Sequence, residues 1–236
     1  KDGQAVLVTR EDTMASAHFG AVSPKLGIKY QVIRNTDLYA NYSRGYRTGG
    51  LTQLSSDPSQ PPLSPYKPEY GNNEEVGIKN NLLNDRLRLN VTIFLTHVND
   101  AQVPTLVLPA AITVTRNTGT LTSKGAEVEL SYKPVKGFQV EYSFGYTDAK
   151  YKSLGLSSNG QSVNLDGKRQ IFTPDITSML ASQYSYTLHV KNRIRLVARG
   201  EWFYFGSRYF AFANTIEQSS YHFLNVKTEV QDKWPD

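Results

Sequence analysis

Apolar and polar residues alternate along most of this chain. Between positions 23 and 33, Leu26, Ile28, Tyr30 and Val32 fall on one side of an extended backbone. Lys25, Gly27, Lys29 and Gln31 fall on the other. A period of two marks a strand with two unlike faces. The pattern returns at 87–95 (Leu87, Leu89, Val91, Ile93, Leu95), at 126–133 (Ala126, Val128, Leu130, Tyr132) and at 138–146 (Phe138, Val140, Tyr142, Phe144, Tyr146). It returns again at 194–204 (Ile194, Leu196, Ala198, Trp202, Tyr204) and near the end (Leu224, Val226, Val230). Two stretches are noisier. Asn80 interrupts the face of Val76, Ile78 and Leu82, and 174–188 sets Met179 and Ala181 opposite Ile176, Leu180, Tyr184 and Tyr186.

The connections come in two kinds. RNTD at 34–37, NDR at 84–86 and VKG at 135–137 are short and carry the Asn, Asp or Gly that tight hairpins use. The Pro- and Ser-rich stretch 50–68 and the polar stretches 153–173 and 206–220 read as long loops, and 104–113 as a shorter, more apolar link. The pattern predicts an all-β chain, an antiparallel meander of about nine long strands. Tight turns lie at one end and mostly long loops at the other.

Strand length separates the possible architectures. Strands of soluble sandwiches average about five to six residues. Here alternation persists for about nine to eleven, the length a tilted strand needs to cross a bilayer. Tyr42, Tyr46, Tyr142, Tyr146, Trp202 and Tyr204 fall on the apolar face near the long-loop ends, where an aromatic girdle would meet lipid headgroups. Tyr is also a favoured strand residue in any sheet. The opposite face is rich in both signs of charge. In a barrel, Glu75, Lys79, Arg88, Glu127, Glu129 and Glu141 would form a lumenal charged ladder pairing across strands. A solvated sheet face would have the same composition.

Composition narrows the classes further. The 236 residues carry 26 Lys+Arg and 21 Asp+Glu, a formal net charge of +5. The charges are dispersed, with no basic block or aromatic–basic motif, so no nucleic-acid partner is expected. No apolar run reaches the roughly 18 residues of a transmembrane helix. With no Cys, thiolate metal sites, disulfides and thiol nucleophiles are excluded. His18, His97, His189 and His222 share no ligand spacing, and no nucleophile elbow, phosphate loop or dinucleotide fingerprint occurs. Neither a catalytic residue, a metal ligand nor a cofactor is assigned, and no enzymatic activity is expected. Glu127 and Glu129 share a face, and wall charges account for them better than an acid–base pair.

The stretch SPKLGIKYQVIRNTDLYANYSRGYRTGG at 23–50 resembles the TonB-dependent receptors of Gram-negative outer membranes. There a strand descends to a periplasmic turn and the next climbs through a pattern matched by Leu38, Tyr39, Tyr42, Ser43, Gly45, Tyr46 and Arg47. Pro68, Glu69, Glu75, Gly77 and Lys79 match a second hairpin of that family, although YGNN stands where an aromatic before Asn is frequent. Lys124, Gly125, Glu127, Glu129, Gly137, Gly145, Tyr146, Thr147 and Asp148 match a third. Three hairpins in the family's order make a specific signal, strongest over 23–151 and looser over 174–230.

The resemblance implies part of a barrel of about 22 strands around a plugged lumen. It implies uptake of a scarce, bulky nutrient, most often a ferric siderophore, driven by the TonB complex acting through a plug domain. The implied partners include the lipid bilayer and lipopolysaccharide of the outer membrane. With no initiating Met and a KWPD end, residues 1–236 are expected to be a fragment of the barrel, lacking the plug and terminal strands. Such a fragment should not fold alone. Candidate ligand-binding residues are Arg47 at the mouth and Arg208, Tyr209 and Phe210 after the eighth strand. Arg pairs with anionic chelate groups and Tyr or Phe stacks on rings. For Arg47 a structural salt bridge is the competing reading. A passive porin is the alternative function, and a soluble β-rich binding module a third.

Overall fold

The computed structural model describes residues 16–51, 65–107, 112–117, 119–158, 161–189 and 193–233. Nine strands form one antiparallel meander: β1 (Lys25–Ile33), β2 (Thr36–Arg47), β3 (Glu69–Leu82), β4 (Leu87–Asn99), β5 (Gly119–Tyr132), β6 (Phe138–Ser158), β7 (Ile176–His189), β8 (Arg193–Phe205) and β9 (Tyr221–Lys233). Each pairs with its neighbour in sequence, and β1 and β9 are open edges. An unclosed sheet exposes unpaired backbone groups at both sides, which a barrel would satisfy by closure.

The register carries the alternation from strand to strand. Leu38, Ile78, Val91, Val128 and Phe144 stand opposite one another in one row. The next row, on the other face, is Tyr39, Gly77, Thr92, Glu127 and Gly145. The apolar face is uncovered: Ile28 is 70% exposed, Ile93 58%, Leu224 67% and Val226 74%. Monomeric soluble proteins rarely show a contiguous apolar surface of this extent. The girdle candidates Tyr42, Tyr46, Tyr142, Tyr146, Trp202 and Tyr204 all lie on that face, and Trp202 stacks on Tyr204 with ring centroids 6.1 Å apart.

At one height the two faces exchange character. The row Tyr42, Glu74, Leu95, Lys124 and Asp148 is where the apolar face turns polar. The next row on that face is Arg44, Asn72, His97, Thr122 and Lys150. Asp148 holds Lys150 at 2.8 Å and Lys124 at 3.9 Å. On the opposite side the polar face becomes apolar, and Leu121 and Tyr151 are buried there. They pack with Ala101, Val103, Leu154 and Leu165 into a small core, against which Val98, Phe212 and Ala213 also rest.

This exchange corrects three sequence expectations. The sixth strand does not end near Tyr146 but runs to Ser158, and 155–158 pair with 161–164. The alternation looked finished because its phase reverses once the inner side is covered by loops. For the same reason 153–173 is not one long loop, and Tyr142 and Tyr146 lie within their strand, Tyr142 near its turn end, rather than at the long-loop end. The link at 104–113 is instead part of a hairpin, with 102–107 paired to 112–117. Most of the long stretch at 50–68 lies outside the described residues. Leu154, fully buried, anchors the loop core. Leu154→Ala is expected to cost about 2–5 kcal/mol of local stability. Faster proteolysis of 155–175, with the wall intact, is the readout.

Candidate functional site

The mouth end of β7–β9 gathers most of the described aromatic and cationic groups of the loops. Past Phe205 the chain is tied back by Gly206, whose N–H donates to the Ile176 carbonyl at 2.7 Å. Arg208 and Tyr209 then pair with Gln218 and Glu217. This small ribbon fixes Arg208: its Nε donates to Gln218 Oε1 at 2.8 Å. Its guanidinium lies 5.5 Å from the Phe210 ring centroid and 6.0 Å from that of Tyr221. Among the described residues no carboxylate forms an ion pair with Arg208.

A second loop, 165–175, leans on the first. Phe172 meets Phe210 edge to face at 5.3 Å, and its N–H donates to the Tyr209 carbonyl at 2.8 Å. Phe172 has φ of 61°, a conformation costly for a bulky residue and held by these contacts. Arg169 lies over Tyr209 at 5.6 Å, but its charge is matched by Asp175 at 3.6 Å. Asn214 clamps the two loops: its Oδ1 accepts from the Arg169 N–H at 2.7 Å and its Nδ2 donates to the Arg169 carbonyl at 3.0 Å. Asn214→Ala removes both bonds and leaves Ala at φ 57°. It is expected to loosen the pair of loops by about 1–3 kcal/mol. Faster amide exchange at Arg169 and Phe172 is the check.

Below Arg208 the polar face carries rings that the sequence reading did not single out. Phe203 stacks on Phe223 at 4.8 Å, Phe205 on Tyr221 at 5.3 Å, and Phe205 lies 6.1 Å from Phe223. These four share a face with Arg199 and Glu201, not with Trp202 and Tyr204. The sequence did hold a signal. Trp202, Phe203, Tyr204 and Phe205 are consecutive aromatics, so two must occupy the otherwise polar face. Phe223 is 41% exposed and Phe210 40%. The patch therefore offers accessible ring surface beside an unmatched cation.

The other predicted residues lie elsewhere. Arg47 ends β2 opposite Glu69, far from Arg208 in strand order. The Glu69 carboxylate accepts from the Gln102 N–H at 2.6 Å, and Arg47 has no ion pair among the described residues. Gln102 and Asn117 in turn bind the Lys67 carbonyl, tying the loop after β4 to the start of β3.

The six ladder residues share the polar face but touch different groups. Glu141 pairs with Arg199 at 2.7 Å, and Arg199 also holds Glu201 at 2.7 Å. Lys79 lies 4.9 Å over the Tyr39 ring, Arg88 donates to Asn81, and Glu129 accepts from Asn90. Glu75 and Glu127 flank Tyr39. Among the described residues no group of three or more His, Asp or Glu side chains is placed to hold a metal ion.

The chain matches the family described as TonB dependent receptor-like, beta-barrel, over residues 2–234. It belongs to the TonB-dependent receptor family. The catecholate siderophore receptor Fiu of Escherichia coli is 27% identical over 192 residues, 76% of this chain and 23% of the relative. The ferric-pyoverdine BN7/BN8 receptor of Pseudomonas putida is 25% identical over 225 residues, 95% of this chain and 24% of the relative. The ferric yersiniabactin uptake receptor of Yersinia pestis superposes with a TM-score of 0.69 at 19% identity, covering 86% of this chain and 28% of that one. That likeness shows the fold. The chain thus spans about a quarter of these receptors' lengths.

Proposed function

We propose that residues 1–236 are a wall section of an outer-membrane receptor that takes up a ferric siderophore with energy supplied through TonB. The observation that carries this reading is the mouth patch. Arg208 has no carboxylate partner among the described residues and stands among accessible rings, on the side that this reading takes as the lumen. An anionic, ring-bearing chelate complements it through charge and stacking. The siderophore receptors among its relatives support the same cargo. In this reading Arg208, Tyr209 and Phe210 contact the ligand, with Phe205, Tyr221 and Phe223 beneath them. Arg47, at the end of β2 six strands away, is a second contact on the rim.

The uncovered apolar face is the lipid-facing surface, and the six outward aromatics form its girdle. Lys124, in the row where polarity reverses, and Arg44 and Lys150, in the next row above it, lie at the height of lipopolysaccharide phosphates. The charges around Glu127, Glu129 and Glu141 face a plug domain supplied by the rest of the receptor. Force from the TonB complex acts on that plug, since tight binding at low ligand concentration must be undone by supplied energy.

Uptake of radioactive iron by an iron-starved strain carrying the full-length receptor tests the proposal. Accumulation that needs both the receptor and TonB is expected. Accumulation independent of TonB would favour a passive channel, and none from any ferric chelate would overturn the reading.

A further inference from the structure

At the turn ends of β5–β8 the polar face carries a cavity of about 400 Å³. Arg86, Lys133, Lys136 and Arg195 line it, together with Gln183 and Ser185. Among the described residues no Asp or Glu contributes to its wall. Among the described residues none of the four cations forms an ion pair with a carboxylate. Elsewhere on this face several cations are matched, Lys29 by Asp37 at 2.8 Å, Arg199 by Glu141 and Glu201, Lys227 by Glu229 at 3.2 Å, whereas Lys79 lies over the Tyr39 ring and Arg88 donates to Asn81. What sets this site apart is that four cations without an ion pair line one cavity, with Glu229 acting on Arg195 only at longer range.

Backbone bonds frame the cavity. The Lys133 N–H donates to the Arg86 carbonyl at 2.8 Å, joining the turn before β4 to the end of β5. The Ser185 N–H donates to the Gly137 carbonyl at 2.7 Å, joining the turn before β6 to β7. Gly137 has φ of 85°, and a Cβ there would run into the Ser185 carbonyl oxygen. The Ser185 hydroxyl accepts from the Arg195 guanidinium at 3.3 Å, which positions that cation.

We propose that this cavity is a binding site for a multivalent anion of the carboxylate or phosphate class. Its size falls in the range of small-ligand sites, about 300–1,000 Å³. Arg supplies planar forks and Lys point charges, the combination suited to several oxyanion groups at once. Like charges gathered in a concave site raise the local concentration of anions and repel one another until one arrives. Gln183 and Ser185 add neutral hydrogen-bonding groups. The anion has two possible sources: a free small polyanion, or carboxylates of the receptor's own polypeptide outside residues 1–236. The site does not depend on the identity of the cargo at the mouth.

The test uses the full-length receptor in detergent micelles, with citrate as the free probe. In one arm, lysine acylation is followed by mass spectrometry with and without citrate, Lys67 at the mouth serving as reference. In the other, a carbodiimide joins lysines to carboxylates already in contact. A free-anion site predicts that citrate well above its Kd slows acylation of Lys133 and Lys136 at least about five-fold. That protection should be absent from an Arg86→Gln/Arg195→Gln variant. An internal source predicts that either lysine is coupled to an Asp or Glu outside residues 1–236. Acylation of both lysines at the Lys67 rate regardless of citrate, with no such coupling, would overturn the proposal.

Discussion

Arginine at Val91 is expected to cost the full-length receptor about 2–4 kcal/mol of folding stability in a bilayer. Val91 lies midway along the apolar face of β4, between Leu87 and Leu95, opposite Ile78 and Val128. At that depth a guanidinium has neither water nor a carboxylate, and its stem is too far from either interface for the charge to escape cheaply. The neighbouring Asn90→Arg is the matched control. Asn90 sits on the other face and donates to Glu129 at 3.2 Å, so an arginine there meets an opposite charge. Its effect is expected within about 1 kcal/mol, as for a solvated pair. Urea-titrated folding into phospholipid vesicles measures both. Equal costs at 90 and 91 would mean that the two faces have been assigned wrongly.

Arg208→Ala should weaken binding of an anionic, ring-bearing ferric chelate about 10- to 100-fold, leaving the wall intact. The loss combines a charge-assisted contact to the ligand, about 1.5–3 kcal/mol, with the two ring contacts that orient the guanidinium. Arg208→Lys keeps the charge but not the planar fork held by Gln218, and recovery should be partial. Quenching of intrinsic fluorescence in the purified full-length receptor gives the affinities. An unchanged Kd for Arg208→Ala would remove Arg208 from the binding site. Phe205→Ala then reports whether the rings act without it.

The wall was legible in the sequence because one physical constraint wrote it. Where one face meets lipid and the other does not, every second residue is specified, and a one-residue slip would invert the whole set. Leu87–Leu95 and Phe138–Tyr146 show this plainly, and the turns at 34–37 and 135–137 followed from Asn and Gly. The region above the wall was less legible because the constraint changes there. From Asp148 onward the outer side is solvated and the inner side is buried under loops, so β6 continues with reversed phase and reads as its own end. The hairpin at 102–117 was hidden for a different reason. Its partners are other loops, brought together by Gln102 and Asn117, and no period records such contacts.

Part of the mouth patch was visible and part was not. Arg208, Tyr209 and Phe210 stood out as a cation followed by rings in a polar loop. Phe203 and Phe205 were masked by Trp202 and Tyr204, whose phase matched the apolar face. Tyr221 and Phe223 gained meaning only from the register that sets them against β8. Arg169 and Phe172 belong to one loop and Asn214 to another, and their placement depends on the tertiary packing around Tyr151 and Phe212.

The central claim is that the alternating wall stands in a membrane, apolar side to lipid, up to the row through Leu95. The most direct measurement is a nitroxide scan along β4 of the full-length receptor in vesicles, one label at a time from Arg88 to Val98. No cysteine in this stretch competes for the label. Oxygen accessibility should peak at Leu89, Val91, Ile93 and Leu95 and fall at Asn90, Thr92 and Phe94. At His97 the label should instead become accessible to a water-soluble nickel chelate. Equal oxygen accessibility at odd and even positions, or nickel access throughout, would contradict the claim.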